Sequence, residues 1–190
     1  LARVGVASVI GTGTSVFHTA AAHSWVAVIR AVEQPARADR VRLAALTPLV
    51  GWTAERLDRE GDRGIAGLAT YLTELGRVFD EGGFAAMAQR LMSRHDVAAR
   101  TLATEHGERA LTDLIQVASL CNTHVMTSGV GLTGVAEWLA DRIADTAAWQ
   151  RAEDQTRRLD RDTQVVQIMT VHASKGLQFP IVYVPFGWDA

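Results

Sequence analysis

Residues 165–186 read VVQIMTVHASKGLQFPIVYVPF. Two runs rich in β-branched residues, Val165–Val171 and Ile181–Phe186, flank a polar segment that holds Lys175, the only lysine in a chain with eighteen arginines. Runs of this length and composition predict buried strands. The polar segment then lies beyond the carboxyl end of a strand, where ligands of open α/β sheets gather. Thr170, His172, Ser174, Lys175 and Gly176 offer hydroxyls, an imidazole, an ammonium and open backbone N–H groups, all suited to phosphate oxygens. A compact ammonium next to Gly176 fits a tight phosphate-facing turn that a guanidinium fork would fill differently. The residues alone leave two readings open, a phosphate-facing loop and an ordinary strand-end loop. GxxxxGK[ST] occurs nowhere, so the chain by itself does not cradle a nucleoside triphosphate in the Walker manner.

At the other end, Val4–Ile10 reads as a short strand and GTGTS as a turn or phosphate-approaching loop. Ala22, Trp25, Val26, Ile29 and Val32 then recur at helical spacing, with Thr19 as N-cap and Pro35 as stop. From Asp39 to about Gln150 every pattern is helical. Asp39 and Thr53 are expected to cap short helices that end before Pro48 and near Gly61. Ile65, Leu68, Leu72, Leu75 and Phe79 form a face closed by Gly82 and Gly83, and Phe84, Met87, Leu91 and Met92 form the next. Asp96 is expected to cap a short helix, Leu111, Leu114, Ile115, Ala118 and Val125 to mark a longer one, and Thr133 to cap one bearing Val135, Leu139 and Ile143. Gln150–Thr163 carries four arginines and four acids and reads as a solvated linker or helix end at a boundary. β pieces at both ends of a helical block predict a mostly α chain, a helical domain inserted into an α/β domain. The boundaries expected are 1–36 and 161–190 for the α/β pieces and 37–160 for the insertion.

Composition narrows the function. A net charge of −2 gives no global attraction to polyanions, so any nucleic-acid contact must come from a local patch. Cys121 is alone in an apolar pattern, which excludes an internal disulfide or a cysteine-based metal site and reads as a buried small hydrophobe. The single cysteine fits a reducing, cytoplasmic compartment. His18 and His23 lack a nearby carboxylate or cysteine and read as surface residues rather than metal ligands. No run of eighteen apolar residues and no signal-peptide pattern are present, so no membrane partner is expected. The first residue is Leu1, which points to a piece of a longer protein. The excess of arginine over lysine reads as codon bias.

The 165–186 stretch resembles motif V of superfamily 1 DNA helicases of the UvrD and RecB kind, roughly hydrophobic-T-x-H-x-x-K-G-L-E-[FY]-P before an apolar strand. GTGTSVFHTAAAHSWVAVIRAV resembles the motif IV region, with Phe17 as its aromatic. The stretch RLMSRHDVAARTLATEHGERALTDLIQVASL is similar to the helical insertion of the RecB kind, and Ser15-Val16-Phe17 and Pro185-Phe186 also suit that kind better. The resemblance implies a 2B-like helical insertion flanked by pieces of a RecA-like 2A motor domain. It implies DNA contacts by Thr170, His172, Ser174 and Lys175, and a nucleotide-cleft edge at Gly176 and Gln178. Glutamate is common where Gln178 stands and accepts from the nucleotide ribose; glutamine can hydrogen-bond there without charge. The parent would be an ATP-dependent helicase and exonuclease in double-strand break repair, using ATP and Mg2+ on duplex ends and single strands, with RecC-like and RecD-like subunits. No catalytic residue and no cofactor of its own are expected in this chain, because the Walker, arginine-finger and nuclease motifs are missing. A UvrD-like or AddA-like helicase and a stand-alone helical interaction module are the alternatives.

Overall fold

The computed structural model describes residues 8–10, 15–145, 166–168, 174–175 and 178–184. The chain divides into two compact units, Leu1–Gly13 with Arg161–Ala190, and Thr14–Asp160.

The first unit holds a parallel strand pair, β1 (Ser8–Ile10) and β2 (Val166–Ile168), in the register Ser8 to Val166, Val9 to Gln167 and Ile10 to Ile168. The other strand expected, Ile181–Phe186, is not found. Ile181–Val184 is not strand, and Ile181 and Tyr183 are 89% and 83% exposed. A β-branched run becomes a strand only when a neighbour completes its hydrogen-bond ladder, and the sheet among the described residues has two strands.

The second unit is helical and opens with a 3-10 turn, Val16–His18, where Ser15 Oγ accepts from the Phe17 N–H at 3.3 Å. Helix α1 (Ala20–Glu33) buries Ala22, Trp25, Ile29 and Val32 as their spacing predicts, and adds Val28 to that face. Thr19 holds the N-cap position, but its hydroxyl donates to the Val16 carbonyl at 2.7 Å instead of capping. Pro35 lies just beyond the end and cannot continue the helix. The sequence groups residues 1–36 with the strands, whereas α1 is packed inside the helical unit. It touches α2 (Ala38–Ala45), α3 (Ala54–Arg94), α5 (Gly107–Ser128) and α6 (Leu132–Ala144). The fully buried Trp25 fastens this arrangement, its indole N–H donating to the Leu114 carbonyl on α5 at 2.9 Å.

Asp39 does not cap α2. The N-cap position is Arg37, and Asp39 in the first turn accepts from that guanidinium at 2.8 and 3.0 Å. Thr53 does cap α3, accepting from the Arg56 N–H at 3.2 Å. Along α3, Ile65, Leu68, Leu72, Leu75 and Phe79, then Phe84, Met87 and Leu91, are buried in one core. This helix is not one rod. Gly61 (φ 54°, ψ −153°) and Gly83 (φ 73°, ψ −173°) interrupt it in a conformation that L-residues rarely adopt. In a straight helix Tyr71 and Arg94 would lie about 35 Å apart at 1.5 Å per residue. They are in contact, the Arg94 guanidinium 4.4 Å from the Tyr71 ring centre. The chain therefore reverses at Gly83, and residues 84–94 fold back along the helix as far as Tyr71.

Helix α4 (Val97–Leu102) follows left-handed Asp96, whose side chain makes no cap bond, and α5 buries Leu114, Val117 and Cys121. Ile115, expected on that face, is 49% exposed, and Asp113 and Gln116 turn inward instead. Leu114, whose carbonyl accepts from Trp25, lies on the buried side of the helix. For α6 the N-cap is Gly131; Thr133 instead donates to Glu33 Oε1 at 2.7 Å, tying α6 to α1. Val135 and Leu139 are buried as expected. The linker expected at Gln150–Thr163 lies outside the described residues. Among the described residues no helix is long and apolar enough to cross a membrane.

Candidate functional site

Because β1 and β2 run parallel with Ile10 opposite Ile168, both strands end at the same edge of the pair. The polar segment follows β2 in the chain, and Ser174 and Lys175 form a turn there, the serine half-buried and the lysine exposed. Among the described residues no carboxylate pairs with Lys175. Gln178 is exposed. An exposed ammonium and a carboxamide on one short segment can donate to an anionic oxygen, and the carboxamide can also accept. Thr170, His172 and Gly176 lie outside the described residues.

Phe17 belongs to the helical unit and faces inward, 1% exposed. Its ring meets Trp138 edge-on at 5.5 Å, and Trp138 stacks on His124 at 4.4 Å. Burial, and next the Arg142 charge, hold His124 below the usual histidine range. Phe17 thus acts on its surroundings through packing. His18 and His23 are both exposed. Among the described residues no group of three or more His, Cys, Asp or Glu is placed to hold a metal ion.

A second constellation escaped the sequence reading. The Arg56 guanidinium lies 4.7 Å from the Trp52 ring centre, and that of Arg94 lies 4.4 Å from the Tyr71 ring centre. His95 meets Tyr71 edge-on at 5.5 Å. Arg100 donates to the His95 carbonyl at 2.6 Å and to the Pro48 carbonyl at 2.8 Å, linking α4 to the loop before α3. Gly51 lies against that guanidinium with φ 78°, a backbone conformation that favours glycine. Burial first, then the charges of Arg100, Arg94 and Arg56, hold His95 below its usual pKa, with Asp96 opposing. The buried Nε2 of His95 has no hydrogen-bond partner among the described residues. Trp52 and Arg100 also line a cleft of about 740 Å³ that reaches His18, His106 and Arg109. The local clue was the four-residue spacing of Trp52 and Arg56; the Tyr71–Arg94 pair had none.

Residues 83–186 match the family described as UvrD-like helicase C-terminal domain. The chain belongs to this family. The match to the UvrD-like helicase C-terminal domain begins at Gly83, where α3 reverses, and runs through α4, α5 and α6 to the end of the motif stretch. Along its full length the chain is 38% identical to the RecBCD enzyme subunit RecB of Mycobacterium tuberculosis, over 189 residues, and 35% identical to that of Mycolicibacterium smegmatis. The Escherichia coli RecBCD enzyme subunit RecB is 31% identical over 178 residues, 90% of this chain. The chain spans 17% of the length of the two actinobacterial relatives and 14% of the Escherichia coli one. A segment of 26 residues, 14% of the chain, is 65% identical to 2% of an ATP-dependent helicase/nuclease of Leuconostoc mesenteroides.

Proposed function

We propose that this chain is the part of a RecB-like, ATP-dependent DNA helicase and exonuclease that carries motif V and a helical insertion. The observation that carries the reading is the Thr170–Pro180 motif, in a chain similar to RecB along its whole length. The full-length similarity favours a RecB-like parent over an AddA-like one, since the likeness to the Leuconostoc helicase/nuclease is confined to a short segment.

In this reading Thr170, His172, Ser174 and Lys175 touch the phosphates and sugars of the translocating single strand, and Gly176 and Gln178 border the nucleotide cleft. ATP and Mg2+ bind chiefly to parts of the protein outside this chain. The work of this chain is to report strand position to the nucleotide site and back. An exposed ammonium at a strand-end turn suits that task because it can follow a moving phosphate without a rigid fork. Residues 1–36 and 161–190 are assigned to a 2A-like motor domain and 37–160 to a 2B-like insertion. Partner subunits of the RecC and RecD kind are part of the same proposal.

In the full-length protein, Lys175→Ala removes a charge-assisted bond of about 1.5–3 kcal/mol, so DNA-stimulated ATP hydrolysis and unwinding should fall roughly 10- to 100-fold with folding intact. Unchanged unwinding would remove Lys175 from the site. This chain alone should hydrolyse ATP no faster than background, and turnover by the homogeneous chain would overturn the assignment.

A further inference from the structure

The cleft of about 740 Å³ in the helical unit has the volume of a pocket for a small molecule. It lies between the start of α1, the loop after α2, and the turn from α4 into α5. Four of the hydroxyls that line it, of Thr19, Ser24, Thr47 and Thr104, each donate to a backbone carbonyl at 2.7 Å. With their protons committed, these oxygens offer the cleft lone pairs only, so they accept from the N–H or O–H groups of a ligand.

The donors of the cleft are its cations. Arg100 is fixed through Nε and Nη2 to the His95 and Pro48 carbonyls, and its remaining nitrogen, Nη1, lies beside Gly51, another lining residue. Arg109 is half-buried in the wall, and His18 and His106 can each donate from a ring nitrogen. Two carboxylates stand against them. Glu105 is 91% exposed and 3.8 Å from His106, and Asp113 is buried with a partner of its own. A guanidinium held in place before a ligand arrives binds an oxyanion at little further cost in freedom. Beside it, half-buried Trp52 gives the cleft an aromatic wall. Arg56 covers one face of that ring at 4.7 Å and does not line the cleft, so the indole surface turned to the cleft is not the one under that guanidinium. An aromatic wall next to a fixed guanidinium suits a flat ring that carries an anionic group.

We propose that this cleft binds a free purine nucleoside monophosphate, with its ring on Trp52, its phosphate on Arg100 and Arg109, and its amino and ribose hydroxyl groups donating to the lining hydroxyls. Such a ligand has the three parts that the wall calls for: a planar ring, a strong anion and several donors. The site uses none of the residues from Thr170 to Pro180, and it does not depend on the helicase reading.

The test is calorimetric titration of the chain with AMP, adenosine and inorganic phosphate. No GxxxxGK[ST] loop is present in the chain to compete for the nucleotide. The proteins compared are the wild type, Trp52→Leu, Arg109→Gln, and Arg77→Gln, an exposed control outside the cleft. Trp52→Leu should weaken AMP and adenosine alike, by about tenfold. Arg109→Gln should weaken AMP by about tenfold and leave adenosine binding as it was, a split that a misfolded variant would not show. The control should match the wild type. AMP binding that does not saturate by about 1 mM overturns the proposal, as does an AMP affinity unchanged in either cleft variant. Displacement of AMP by an equal concentration of inorganic phosphate would reduce the cleft to a simple anion site and overturn it too. So would preferential binding of an oligonucleotide bearing a terminal phosphate, because the ligand would then be a strand end.

Discussion

Substituting Gly83 by alanine isolates the reversal of α3 from every other interaction. A Cβ at this position meets nothing within 4 Å, so no clash contributes to the outcome. What remains is the backbone, since φ 73° and ψ −173° lie in a region essentially reserved for glycine. Holding alanine there costs about 1–3 kcal/mol. Gly67 is the internal comparison: it lies in the same helix with helical backbone geometry, and its Cβ would also meet open space. There the substitution should stabilise by roughly 0.5–1 kcal/mol, because alanine loses less freedom on folding. At about 2–4 °C per kcal/mol for a chain of this size, Gly83→Ala should lower Tm by about 2–12 °C and Gly67→Ala should raise it by about 1–4 °C. Thermal unfolding followed by circular dichroism at matched concentration reads both. If Gly83→Ala melts at or above the wild type, the helix runs straight through residue 83. The meeting of Tyr71 with Arg94 would then be lost as well.

Two further outcomes follow from single contacts. Trp25→Phe removes the indole donor from the Leu114 carbonyl inside the core, and should cost about 2 kcal/mol in urea unfolding; a loss under ~0.5 kcal/mol would mean that the bond does not hold α1 to α5. His95 sits below its ordinary pKa, chiefly through burial, so below about pH 6.5 the unfolded chain takes up a proton that the folded chain refuses. Stability should therefore be full above that pH and fall as the pH drops from 6.5 toward 5.5. His124 acts in the same direction. His95→Gln should flatten the decline; an identical pH profile in the variant would exclude His95 as its source.

The helical faces were legible in the sequence wherever one period ran uninterrupted, as in α1 and in both long pieces of α3. Gly82-Gly83 was legible as a stop, yet a stop does not say in which direction the chain leaves. The contact of Arg94 with Tyr71 was invisible for that reason, since the two become neighbours only through the reversal. Ile115 looked like core because apolar spacing cannot register a hydrogen bond from another helix, and Leu114, whose carbonyl accepts from Trp25, lies on the buried side of α5. Ile181–Val184 has the composition of a strand, but composition cannot supply a ladder partner. The motif around Lys175 could be read because its meaning is local: residue types and spacings within one turn carry it.

The pairing of β1 with β2 has a kinetic consequence. These short strands come from opposite ends of the chain, so their contact closes a loop roughly eight times longer than an ordinary strand–helix–strand crossover of ~20 residues. Each doubling of a loop adds only about 0.6 kcal/mol, so the three doublings cost about 2 kcal/mol in closure entropy. That is modest for equilibrium but large for a three-residue ladder that has little to offset it. Contacts within the helical unit are nearer in sequence and should form earlier, leaving the strand pair as a late and easily reopened step. The motif that follows β2 would then be set last and released first.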